Sequence, residues 1–169
     1  LQSGGDTSIT ADQSVSVEQN AYSIDGASTA VSSGANQVGI ELGTQEAAGQ
    51  VQLIVNNFLG GEVEASSVLA TASTEEIQNY LAGLEAESLS SDSQISTEAD
   101  TSLVFNGHSI SSEDNATSSS EVNYVYGVDA ESTTGDTVTF DTSATTTLRQ
   151  LAETIAGDAQ SISELGEQE

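Results

Sequence analysis

The sequence predicts a mainly β chain, a β-sandwich or jelly-roll-like domain carrying two amphipathic helices at about 74–89 and 145–165. Three observations point there. Short segments alternate apolar and polar residues with period 2. Clusters of Gly, Asn, Asp and Ser separate them. Two longer segments space their apolar residues at helical intervals.

Taken in order, residues 1–18 read as an extended N-terminal arm, small and polar, with Gly4-Gly5 as a flexible start; residues 19–169 read as one β-rich domain. Val15 and Val17 alternate with Ser14 and Ser16, and Ile9 shares their parity. Tyr22 and Ile24 alternate in the opposite register, which calls for a bulge near Gln19-Asn20. Val38, Ile40 and Leu42 form a second alternating run. Residues 50–58 (QVQLIVNNF) are the most apolar stretch, a central strand closed by Gly60-Gly61. Ser73 and Glu76 make a capping box for the first helix, whose face is Ile77, Tyr80, Leu81 and Leu84 at i, i+3, i+4, i+7. Asn106-Gly107 suits a type I′ hairpin turn between 103–105 and 108–110. Residues 111–120 read as a polar loop, and 121–128 and 136–142 as strands. The second helix presents Leu148, Leu151, Ala152, Ile155, Ala159 and Ile162 on one stripe.

Charge removes most functions. The chain has 27 Asp and Glu against one Arg and no Lys, for a net charge of -26, and it has one His and no Cys. Binding a nucleic-acid backbone needs several cations, so nucleic acid is excluded as a partner. With one imidazole, no thiol and no amine, little remains for polar catalysis, and we expect no enzyme. No apolar run reaches membrane-spanning length. Charge of one sign opposes the compact state and favours a saline, halophilic setting or bound cations. The sequence starts at Leu1 and contains no Met, which suggests a processed, exported product found outside the cell or on its surface.

Candidate sites are few. Asp129, Glu131, Asp136 and Asp141 crowd one expected hairpin and supply oxygen ligands of the kind calcium takes, though without EF-hand spacing; no cofactor is required, and calcium is the candidate cation. Asn115-Ala116-Thr117 is an N-glycosylation sequon in a Ser-rich segment, which would make the chain a glycoprotein. His108 reads as an incidental strand residue. Arg149 reads either as a helical partner of Glu153 or as an anchor onto an acidic neighbouring subunit. Ile9, Val15 and Val17 give the arm an apolar face that could complete another subunit's sheet.

Residues 34–57 (GANQVGIELGTQEAAGQVQLIVNN) bear a faint likeness to the repeats of curli-type fibre proteins, although no period repeats strictly along the chain, and no function is carried over from it. From composition and pattern we expect a secreted, non-enzymatic structural subunit. It would be a homo-oligomer or polymer forming an extracellular filament or surface layer, through N-terminal strand exchange. A cation-dependent adhesion or carbohydrate-binding module, and a viral capsid or spike subunit, are the alternatives.

Overall fold

The computed structural model describes residues 2–169. All its regular elements are strands: β1 (Gln2–Ser3), β2 (Thr7–Ser23), β3 (Ser28–Ala47), β4 (Val51–Ser67), β5 (Ala72–Ser91), β6 (Gln94–Ser111), β7 (Ala116–Ala130), β8 (Thr133–Thr134), β9 (Thr137–Thr154) and β10 (Ala159–Gln168). One sheet orders β2-β4-β6-β9 and the other β1-β3-β5-β7-β10, with β8 beside β5. Every pairing is parallel. The chain therefore alternates between two facing sheets and winds as a two-sheet β-solenoid. Each circuit adds one strand to each sheet.

The length of the circuit is constant to within one residue. Thr7, Val51, Ile95 and Val138 occupy one column, 44, 44 and 43 residues apart. The single missing residue falls in a turn, where Gly135-Asp136 stands in place of Ser91-Asp92-Ser93. Residue identity repeats loosely, but the chemistry of each column persists. Ala65, Ser109 and Ala152 follow Ala21, while Ala72, Ala116 and Ala159 follow Ser28.

One corner is built the same way in the first three coils. The Ser23, Ser67 and Ser111 hydroxyls accept the backbone N–H three residues on, from Gly26, Ala70 and Asp114 at 2.9, 3.2 and 3.0 Å. Ser67 and Ser111 also donate to the carbonyl of the coil before, Gly26 and Ala70, each at 2.9 Å; Thr154 donates likewise to Asp114 at 2.8 Å. Each corner is thus tied both to itself and to its neighbour.

The core lies between the sheets. Leu53, Leu81, Leu84, Leu89, Ile95 and Leu103 are fully buried. A glycine column, Gly39, Gly83 and Gly127, lets the sheets approach closely. A Cβ on Gly83 would stand 2.6 Å from the Gly127 carbonyl and 2.7 Å from Thr101 Oγ1.

These observations overturn the expected sandwich or jelly roll with two helices. No helix exists among the described residues. Residues 74–89 lie in β5, and 145–165 are divided between β9, a corner and β10. The helical spacing of Ile77, Tyr80, Leu81 and Leu84 arises because β5 changes face. Gln78 is buried, Asn79 is exposed, Tyr80 reaches outward to Asp129, and Leu81 is buried again. The β5–β7 ladder lapses at Asn79 and Gly83, and this bend turns a period-2 pattern into a pseudo-helical one.

Asn106-Gly107 and Gly60-Gly61 are not turns but strand interiors of β6 and β4. A Cβ on Gly61 would meet Glu76 Oε1 at 2.7 Å and Phe105 at 2.8 Å, so the glycine makes room for Glu76 from the facing sheet and for Phe105 on the neighbouring strand. The expected bulge near Gln19 is absent, since β2 pairs with β4 without a break from Thr7 to Ser23. The expected loop over 111–120 is a four-residue corner, and β7 begins at Ala116.

Candidate functional site

Among the described residues, the strands that pair on one edge only are β2 and most of β3 below, and β9 and β10 above. β2 has 17 residues and β9 has 18, each registered without interruption to its inner neighbour. At about 3.3 Å per residue, each edge presents unpaired backbone groups over roughly 55 Å. Edge strands are ordinarily blunted by Pro, Lys, bulges or covering loops. This chain has no Pro and no Lys, and neither edge ladder has a bulge. The lower edge already accepts one parallel segment: β1 pairs with β3, Gln2 against Glu46 and Ser3 against Ala47.

Apolar exposure is concentrated at these ends. Among the described residues, the large hydrophobics exposed to solvent are Tyr22, Ile24 and Val31 in the first coil, and Val138, Phe140, Leu151, Ile155 and Leu165 in the last. Only Leu69 and Tyr124 lie between. Ile9, Val15 and Val17 sit on the inward face of β2, partly covered. Ile9 packs on the cluster around Leu53 and Leu84, and Val15 on that around Leu103 and Phe105. Residues 7–18 of the expected arm are therefore the first rung of the solenoid, paired with β4 of their own chain.

Arg149 lies on the outer face of β9, exposed, in the column Glu18–Glu62–Asn106–Arg149. On a strand, Glu153 is too distant to pair with it, and Glu153 Oε2 instead meets His108 Nε2 at 3.1 Å. That is the one ion pair among the described residues, so the sole guanidinium is unpaired in a chain of 27 carboxylates. A groove of about 540 Å³ runs beside it, with Glu62, Glu64, Asn106, His108 and Leu151 in its wall.

The four expected calcium ligands are not brought together. Asp129 and Glu131 border a small groove of about 140 Å³ on the β3-β5-β7 sheet, beside Glu41, Glu85 and Glu87. Asp136 is exposed in the turn before β9, and Asp141 is on the other sheet, in register with Glu98. Among the described residues no group of three His, Cys, Asp or Glu side chains is placed to hold a metal ion. Asn115 is exposed at a coil corner, where its Oδ1 accepts the Asp158 backbone N–H at 2.9 Å. Among the described residues no helix is long and apolar enough to cross a membrane.

Sequence reasoning missed one interior group. Glu76 is buried in the core, where Oε2 accepts from Gln150 Nε2 at 3.0 Å while Oε1 has no partner. Burial pushes its pKa up to about 7, against the lowering effect of the Gln150 hydrogen bond and of the nearby Asn106 backbone. Tyr80 is likewise raised above the usual phenol range, by burial and then by the Asp129 carboxylate that it donates to at 2.8 Å. Comparison with protein families, with curated proteins and with solved structures finds no match.

Proposed function

We propose that this chain is a non-enzymatic structural subunit that polymerises outside the cell by coil-on-coil stacking, the last coil of one copy receiving the first coil of the next. The observation that supports this reading is the pair of long, unblunted edges, β2/β3 and β9/β10, which run in one direction and carry the exposed apolar residues. Because all strands are parallel, the two edges are different surfaces, and their union is head-to-tail. Such a contact repeats without closing and generates a filament. The N-terminal strand need not leave its own sheet, since its outer edge is already open. Backbone hydrogen bonds would supply the attachment, and the inward columns would continue the core.

Negative-stain microscopy and fibre diffraction of the purified chain test this. Filaments with a spacing of about 4.7–4.8 Å along their axis are expected. Phe140→Asp places a charge in the column beneath Ile9 of the next copy and should leave a folded monomer that does not polymerise. A parent chain that stays monomeric from low to molar salt overturns the reading.

A further inference from the structure

We infer that a second copy of this chain stacks in one register, set by an intermolecular pair between Arg149 of one copy and Glu18 of the next. The inference rests on the stacking reading and adds the alignment that stacking must take.

The columns of outward residues set the alignment. Glu18, Glu62, Asn106 and Arg149 succeed one another up the solenoid. When the next copy continues the coil, the residue that follows Arg149 is that copy's Glu18. In-register neighbours lie about 4.8 Å apart, close enough for direct side-chain pairing. Both groups are exposed, and Arg149 has no ion pair among the described residues. Glu18 is met only by Asn20 Nδ2 at 2.9 Å and stands in register with Glu62, a like charge. The arriving guanidinium would answer that repulsion.

The rest of the junction agrees. Inside the chain five acidic pairs stand in register: Glu18 with Glu62, Glu41 with Glu85, Glu85 with Asp129, Glu98 with Asp141, and Glu121 with Glu164. Across the continued register there are none. Asp141 meets Thr10, Ser143 meets Asp12, Glu153 meets Tyr22, and Glu164 meets Ser33. Slipping β9 by two residues one way sets Asp141 over Asp12 and Arg149 over Asn20. Slipping it the other way sets Leu151 over Glu18. Slips of one residue turn the core face outward. A chain of net charge -26 thus places its one guanidinium where its copies must meet.

Two measurements test the register. The chain has no Cys, so Ser16→Cys with Thr147→Cys introduces a pair in the column beside Arg149 and Glu18, at opposite ends of one copy. Mild oxidation of assembled material should give a ladder of linked chains on a non-reducing gel. The displaced pair Ser16→Cys with Thr145→Cys should give none. Arg149→Glu should slow polymerisation at least tenfold while the monomer keeps its β-sheet circular dichroism. Adding Glu18→Arg should restore the rate. Polymers that link through the displaced pair, or that form at the parent rate with Arg149→Glu, overturn the register and leave stacking intact. A parent chain that forms no polymer overturns stacking itself.

Discussion

Leu53 in the second coil is fully buried, whereas Phe140, two coils above it in the same column, is 43% exposed. The contrast holds across the molecule. Strands β4 to β7 pair on both edges and bury most of their inward residues, while β2, β9 and β10 pair on one edge and leave theirs half open. The residues are of similar kind, so the difference lies in position. An inward side chain in a solenoid is covered by the coil above and the coil below, and an end coil lacks one of them. Burial from both sides is confined to the middle, and the open strand edges lie at the ends.

The sharpest way to break this contrast is paired truncation in one column. Leu53→Ala should cost about 2–5 kcal/mol in denaturant unfolding of the monomer, by cavity formation. Phe140→Ala should cost below about 1 kcal/mol there yet suppress polymerisation. Equal losses at both positions would show that the end coil is not open. The interior carboxyl comes next. The pKa of Glu76 is raised in the fold, so its contribution is fully present below its ordinary value of 4.5 and is lost as pH rises through about 7. Glu76→Gln should therefore stabilise the chain at pH 8 by about 1–3 kcal/mol and change little at pH 4. A variant less stable than the parent at pH 8 would show that the carboxylate is satisfied in the core.

Salt acts on both regions through the five in-register acidic pairs. Raising sodium chloride from 10 mM to 1 M shortens the screening length from about 30 Å to about 3 Å, so the melting temperature should rise by several degrees. A flat or falling melting temperature would remove self-repulsion from the account. The smallest effect belongs to His108. Its contact with Glu153 is exposed, and His108→Ala should shift stability by no more than about 0.5 kcal/mol and leave polymerisation unchanged. Loss of a hydrolytic or transfer activity in that variant would contradict a non-enzymatic subunit.

Much of the β content was legible in the residues themselves. Alternation at Ser14 to Val17, Val38 to Leu42 and Thr137 to Phe140 marks true strands, because side chains on a pleated backbone alternate between two faces whatever the strand later pairs with. The inward parity of Ile9, Val15 and Val17 followed from the same rule. Local signals failed where their cause was remote. The glycines at 61 and 107 imitate turns because they clear space for Glu76 across the core and for Phe105 and Gln150 on the neighbouring strands. Leu151, Ile155 and Ile162 imitate a helical stripe because an end coil carries apolar residues on both faces and at its corner.

The sequence by itself determined the charge, the absence of Cys, Lys and Pro, and the strand-forming alternation, since these need no knowledge of neighbours. Only the tertiary structure decided that the strands pair in parallel at 44-residue spacing. That spacing is written in column chemistry rather than in identity, as the corner hydroxyls Ser23, Ser67, Ser111 and Thr154 show. Neither Arg149 nor Glu18 carries any local mark of the other. They share a column because winding the chain brings positions a whole number of coils apart into line, and pairing depends on that alignment rather than on distance along the sequence.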